Sequence, residues 1–134
     1  MSRYLLDTHI FIWNIVDKKQ LPRPLLDELD DYNNVLYVSR ASLIEIAIKN
    51  RDGKLELGEK YSIFIRSLES RMGVKILEFD NRHLITLNNL TYPKSHKDPF
   101  DHLIISQAIT DKLQLISVDK NMPFYCSQGL NLFQ

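Results

Sequence analysis

Short apolar runs separated by longer stretches of helical periodicity leave this chain few architectures. The runs Tyr4–Leu6, Val35–Val38, Val74–Leu77 and Leu115–Val118, with a further short one at Leu130–Leu132, are rich in Leu, Ile, Val and Tyr. Near-continuous apolar strands of this kind belong to sheets covered on both faces. Between them the spacing predicts helices over Thr8–Val16, Pro24–Asp31, Arg40–Lys49, Glu59–Met72, Asn81–Asn88 and Pro99–Leu113, with a short helical turn after Asp119. Strands that alternate with helices call for an α/β fold with a central parallel sheet of four or five strands and helices on both sides. Gly53, Gly58, Gly73, Pro93 and Pro99 punctuate the joins, and Gly73 after Met72 has the place of a helix C-terminal glycine. Leu90–Lys97 is the one substantial loop. No linker or repeat interrupts the pattern, so residues 1–134 are expected to form a single domain.

The acids are the chemically informative residues. Asp7 follows Tyr4-Leu5-Leu6, Glu45 lies inside Leu43-Ile44-Glu45-Ile46-Ala47-Ile48, Asp98 and Asp101 open the segment running to Ile105, and Asp119 closes Leu113–Val118. Burying a carboxylate costs several kcal/mol unless a cation lies beside it. In an open parallel sheet, ligands bind beyond the carboxyl ends of the strands. Asp7 and Asp119 fall at two such ends, so a shared divalent cation is expected. Each acid also has a plainer reading. Asp7 and Thr8 are good helix caps, and Asp98 before Pro99 is an excellent one, with Asp101 placed to complete a capping pair. Glu45 can pair with Lys49 one turn on across an exposed face. Asp119 can start a turn with Lys120 and Asn121.

Carboxylates gathered within ~4 Å repel by about 4 kcal/mol per pair at an effective dielectric near 20. One or two Mg²⁺ or Mn²⁺ ions relieve that repulsion and suit oxygen ligands. Metal-assisted phosphodiester hydrolysis follows, with Lys49, Arg51, Lys94 and Lys97 as candidate backbone contacts. His9, His83, His96 and His102 lack metal-ligand spacing; His96, beside Lys97 and Asp98, is the best placed of them for a substrate contact.

Composition narrows the field. Lysine plus arginine number 17, as do aspartate plus glutamate, so charge alone does not hold the chain on nucleic acid. Cys126 is the only cysteine, which excludes a disulfide framework and a thiolate zinc site. No apolar run approaches the ~20 residues of a membrane span, and a cytoplasmic location is expected. There is no phosphate-binding glycine loop and no nucleophile-elbow serine.

Taken in order, Tyr4-Leu5-Leu6-Asp7-Thr8-His9, Ser39-x-x-Ser42-x-x-Glu45-Ile46-Ala47-Ile48-Lys49, Gly53-Lys54-Leu55, His96-x-Asp98-Pro99-Phe100-Asp101-x-Leu103-Ile104-Ile105-x-Gln107-Ala108 and Leu115-Ile116-Ser117-Val118-Asp119 resemble PIN-domain proteins. More narrowly, they are similar to the VapC-like toxins of bacterial type II toxin–antitoxin systems. The resemblance implies a three-layer α/β/α fold with sheet order 3-2-1-4-5 and a Mg²⁺- or Mn²⁺-dependent endoribonuclease. It matches the family's four acids to Asp7, Glu45, Asp101 and Asp119, and the hydroxyl before the last acid to Ser117. Asp98 stands where many relatives carry a further acid, as a possible additional metal ligand, and His9 replaces a small polar residue. A homodimer and a VapB-like antitoxin partner are likewise implied. The alternatives are a PIN nuclease of RNA processing or decay without an antitoxin, and a phospho-acceptor signalling domain. The latter requires an acceptor after the third strand and a lysine after the fifth; Asp80 meets the first loosely and nothing meets the second.

Overall fold

Leu5 and Leu6 are neighbours on one strand, both are fully buried, and they belong to different cores. A strand turns successive side chains to opposite faces, so this pair requires apolar cover above and below the sheet. The same alternation recurs on the fourth strand in sequence, its neighbour in the sheet, where Leu115 joins the core of Leu5 and Ile116 that of Leu6.

The structure, a computed structural model, describes residues 1–134. In chain order the elements are β1 (Arg3–Leu6), α1 (Thr8–Val16), a 3-10 turn (Lys18–Gln20), α2 (Arg23–Asp30), β2 (Val35–Ser39), α3 (Arg40–Arg51), α4 (Tyr61–Arg66), α5 (Leu68–Met72), β3 (Val74–Leu77), α6 (Asn81–Asn89), α7 (Pro99–Asp111), β4 (Gln114–Ile116), a longer 3-10 turn (Met122–Gln128) and β5 (Asn131–Leu132). All strands pair in parallel, in the order β3-β2-β1-β4-β5. One core gathers side chains of α1, α2, α4 and α5 with Leu43 and Ile46 of α3; the other gathers Ile104, Ile105 and Ala108 of α7 with Met122 and Tyr125 of the second 3-10 turn. This is the three-layer α/β/α arrangement. No helix is long and apolar enough to cross a membrane.

Two elements depart from the sequence reading. The single helix expected over Glu59–Met72 is broken at Ser67, where φ is −99° and ψ is 2°. The Ser67 hydroxyl donates to the carbonyls of Ile63 at 2.8 Å and Phe64 at 3.3 Å, and such local bonds compete with the helical ladder. The fourth strand ends at Ile116 rather than Val118, because Ser117 and Val118 leave the ladder; Val118 is 50% exposed. Gly73 ends α5 with φ 68°, the left-handed C-terminal position foreseen for it.

Candidate functional site

The chain turns from β1 into α1 without a loop, so Asp7 ends one element and caps the next: Oδ1 accepts from the Thr8 amide at 2.8 Å. The Asp7 amide donates to the Ile116 carbonyl at 3.0 Å, which carries the β1–β4 pairing one step further and brings Ser117 alongside. Ser117 Oγ donates to Asp7 Oδ2 at 2.6 Å, across 110 residues of sequence, and accepts from the Asp119 amide at 3.1 Å. One hydroxyl therefore joins the first and last acids. Asp119 Oδ1 accepts from the Asn121 amide at 2.9 Å and from its side chain at 3.0 Å. Asp119 thus starts the expected turn with Asn121, and Ser117 links the same residue to Asp7.

Asp101 reaches the cluster from the first turn of α7. Its Oδ2 lies 2.9 Å from His96 Nε2, which is 3.9 Å from Asp119 Oδ2. His96, at 4% exposed, is buried, and its Nδ1 meets the hydroxyl of the fully buried Tyr125 at 2.7 Å. A carboxylate only accepts, so Nε2 is the donor to Asp101, and a neutral ring then leaves Nδ1 to accept from the Tyr125 hydroxyl. Burial, and then the carboxylates of Asp101 and Asp119, push the Tyr125 phenol up to about 12, which keeps it a donor. His96 thus spans from Tyr125 to Asp101 instead of lying open on the loop. Asp98 is exposed and caps α7, accepting from the Phe100 amide at 2.9 Å. The Asp101 carboxylate turns to His96, so the reciprocal capping pair does not form.

Glu45 enters through α3. Ser39 caps that helix, and Ser42 Oγ meets Thr8 Oγ1 at 2.7 Å, which fastens the first turns of α1 and α3 together. Residues three apart share a helix face, so Glu45 follows Ser42 on the side facing α1. Its Oε2 pairs with Lys49 Nζ at 2.9 Å, as the helix spacing suggests. The carboxylate is only 11% exposed, however, and Oε1 is buried with no hydrogen-bond partner. Glu45 and Asp7 both stand outside the tightest set of donor atoms, in which His96, Asp101 and Asp119 each place one within 4.8 Å of the others.

The electrostatics of this junction are those of a site short of positive charge. Burial raises the Asp7 carboxyl above the ordinary range; the Ser117 and Thr8 hydrogen bonds and nearby His9 oppose the rise, and Asp119 adds to it. Burial also pushes Asp101 to about 6, against the His96 hydrogen bond and with the help of the Asp7 and Asp98 charges. Asp7, Asp101 and Asp119 have no lysine or arginine nitrogen within 4.0 Å. Asp101 Oδ1 and Asp119 Oδ2 accept no hydrogen bond from the protein. Carboxylate oxygens with lone pairs to spare, beside one imidazole, fit a divalent cation of the Mg²⁺ or Mn²⁺ kind.

Asp7 and Asp119 border an open cleft of about 280 Å³ that is also lined by His9, Trp13 and Val118. Lys94 and Lys97 are exposed on the loop before α7, while Arg51 is engaged by Asp52 at 2.9 Å. Tyr125 is the participant that sequence reasoning missed. Its one signal is that a tyrosine in an apolar turn must find a partner for its hydroxyl once buried.

A sequence model of the PIN domain matches residues 4–125, and the chain belongs to the PIN-domain family. No curated protein matches the sequence. Among solved structures, a chain of VapBC2 from Rickettsia felis, bound to a DNA fragment from its promoter, superposes with a TM-score of 0.68 at 20% identity over 98% of both chains. DNA-bound VapBC from Salmonella typhimurium gives 0.69 at 19% identity, over 99% of this chain and 98% of that one. VapBC-1 from nontypeable Haemophilus influenzae gives 0.67 at 22% identity, again over 99% and 98%. At these identities the likeness is one of fold.

Proposed function

We propose that the chain is a Mg²⁺- or Mn²⁺-dependent endoribonuclease acting as the toxin of a type II toxin–antitoxin pair. Asp7, Glu45, Asp101 and Asp119 are its essential acids. One observation carries the reading: buried and half-buried carboxylates from distant parts of the chain converge at the carboxyl edge of the sheet, oriented by Ser117, His96 and Asn121 and without a lysine or arginine on Asp7, Asp101 or Asp119. A divalent cation bound there supplies Lewis-acid stabilisation of a phosphoryl oxygen and a nucleophile at neutral pH. Asp7, Asp101 and Asp119 would hold it through oxygens whose directions Ser117, His96 and Asn121 set. Glu45 adds a buried oxygen with no other partner, and Lys49 and Lys97 offer cations to the RNA backbone. The solved chains that share this fold come from VapBC complexes. We therefore take a VapB-like antitoxin as the partner, a homodimer as the working unit and the cytoplasm as its place.

The test is cleavage of RNA by purified protein with the product ends mapped. Cleavage should need Mg²⁺ or Mn²⁺ and stop with EDTA. Asp7→Asn, Glu45→Gln, Asp101→Asn and Asp119→Asn should each abolish it, or nearly so, with circular dichroism unchanged. Full, EDTA-sensitive activity in Asp7→Asn would refute the shared-cation reading.

A further inference from the structure

His9 and Trp13 lie one helical turn apart on α1, with ring centroids 5.9 Å from each other, and both line the cleft that Asp7 and Asp119 border. Neither the acids nor the core explains this pair fully. His9 is exposed, yet close enough to Asp7 to act on its charge. Trp13 rests against the hydrophobic core and still reaches the cleft, so the core holds it in place. Val118, which left the ladder after Ile116, supplies an exposed apolar wall to the same space. Aromatic and apolar walls thus stand beside an acidic border.

We propose that His9, Trp13 and Val118 form a nucleobase-stacking subsite for single-stranded RNA, next to the phosphate that is cut. The proposal rests on the nuclease reading above and specifies its substrate. Every base presents a flat apolar face, and stacking on an aromatic side chain is tolerant of sequence. In a duplex those faces are already stacked on their neighbours, so an aromatic platform beside the acids selects unpaired nucleotides. Trp13 supplies the face on which the base stacks, His9, its ring tilted 51° from the indole, borders the base on the Asp7 side, and the sugar–phosphate linkage is left over the carboxylates.

Trp13 is the chain's only tryptophan, so its fluorescence reports on this subsite alone. The wild-type protein is titrated with a short single-stranded oligoribonucleotide, Ca²⁺ replacing Mg²⁺ and the RNA checked intact by gel electrophoresis. Parallel arms use the same strand in a duplex, an abasic ribose-phosphate oligomer of equal length, and a free mononucleotide. Saturable quenching by the single strand, with little from the duplex or the abasic oligomer, is the expected result. Anisotropy of labelled RNA should show Trp13→Leu binding the single strand ~5- to 150-fold more weakly, the range for loss of one stacked base. Trp13→Phe should recover most of the affinity, and abasic binding should not change. His9→Ala, at an exposed position, should weaken binding in the same sense and serves if Trp13→Leu does not fold. Tight RNA binding with unchanged fluorescence, or equal quenching by duplex and single strand, overturns the proposal while leaving the nuclease reading standing. Equal affinity for a free mononucleotide replaces RNA with a nucleotide ligand and overturns it too. A wild-type protein that binds no RNA in any arm overturns both.

Discussion

Three acids of the cluster are each held by a side-chain hydrogen bond: Asp7 by Ser117, Asp101 by His96, Asp119 by Asn121. Such partners fix the direction of a carboxylate oxygen, which is what a cation site needs. Losing the donor should loosen the site even where the acid remains. We expect His96→Ala to weaken Mn²⁺ binding by ~10–100-fold by calorimetry, with His96→Gln milder because an amide can still donate; unchanged affinity in a folded His96→Ala protein would contradict this. The lack of counter-charge also has a pH signature. In the metal-free protein the Asp101 carboxyl titrates at about 6, against 3.8 for the unperturbed group. Between those values the native state keeps a proton that the unfolded chain has lost, so this group's contribution to stability falls as pH rises through the window. Above about 6 the full penalty remains, roughly 1–3 kcal/mol after allowance for solvent screening. Asp101→Asn in EDTA should therefore be more stable than the parent at pH 7 and equal to it near pH 4, as read by urea unfolding; parity at both would refute the burial argument. The acids themselves were legible in the sequence because charge at the end of an apolar run is anomalous. His96 was legible only as a neighbour of Asp98, and its tether to Tyr125 not at all, since that bond joins residues 29 apart through the packed fold.

At the scale of the element, the strand-to-helix junctions do the positioning. Asp7, Ser39, Asp80 and Asp98 each cap the helix that follows, and Asp7 does so while its second oxygen serves the cluster. Asp98 is the contrasting case, an exposed cap one turn before the site acid. Asp98→Ala should lose ~1 kcal/mol of stability while Asp98→Ser keeps it. Calorimetric Mn²⁺ affinity should be normal in Asp98→Ser and much reduced in Asp101→Ser; the reverse would mean that the two acids have exchanged roles. The helices and strands could be read from sequence because apolar runs with both faces covered look unlike amphipathic ones. What could not be read were the local failures of the pattern. Ser67 keeps helical spacing around it yet bonds back to Ile63, and Ser117-Val118 continues an apolar run whose ladder has already ended.

For the whole molecule, sheet order matters more than sequence order. β1 lies at the centre with β2 and β4 on either side, so elements from both ends of the chain meet in one crevice. If the toxin reading is right, expression alone should arrest growth, co-expression of a neighbouring antitoxin should restore it, and Asp7→Asn should be harmless. A chain that cleaves RNA well in vitro yet is tolerated at high expression would favour a nuclease of RNA processing or decay. The Ser117–Asp7 hydrogen bond has a consequence for biosynthesis. Asp7 emerges during translation well before the partners that complete its site (Ser117, Asp119 and the Tyr125 that steadies His96), the first of which lies 110 residues further along. A nascent chain cannot assemble the centre until Ser117, Asp119 and Tyr125 have emerged, so on the proposed nuclease reading the RNA-cutting site stays incomplete beside the ribosome while the segment between Asp7 and Ser117 is being made.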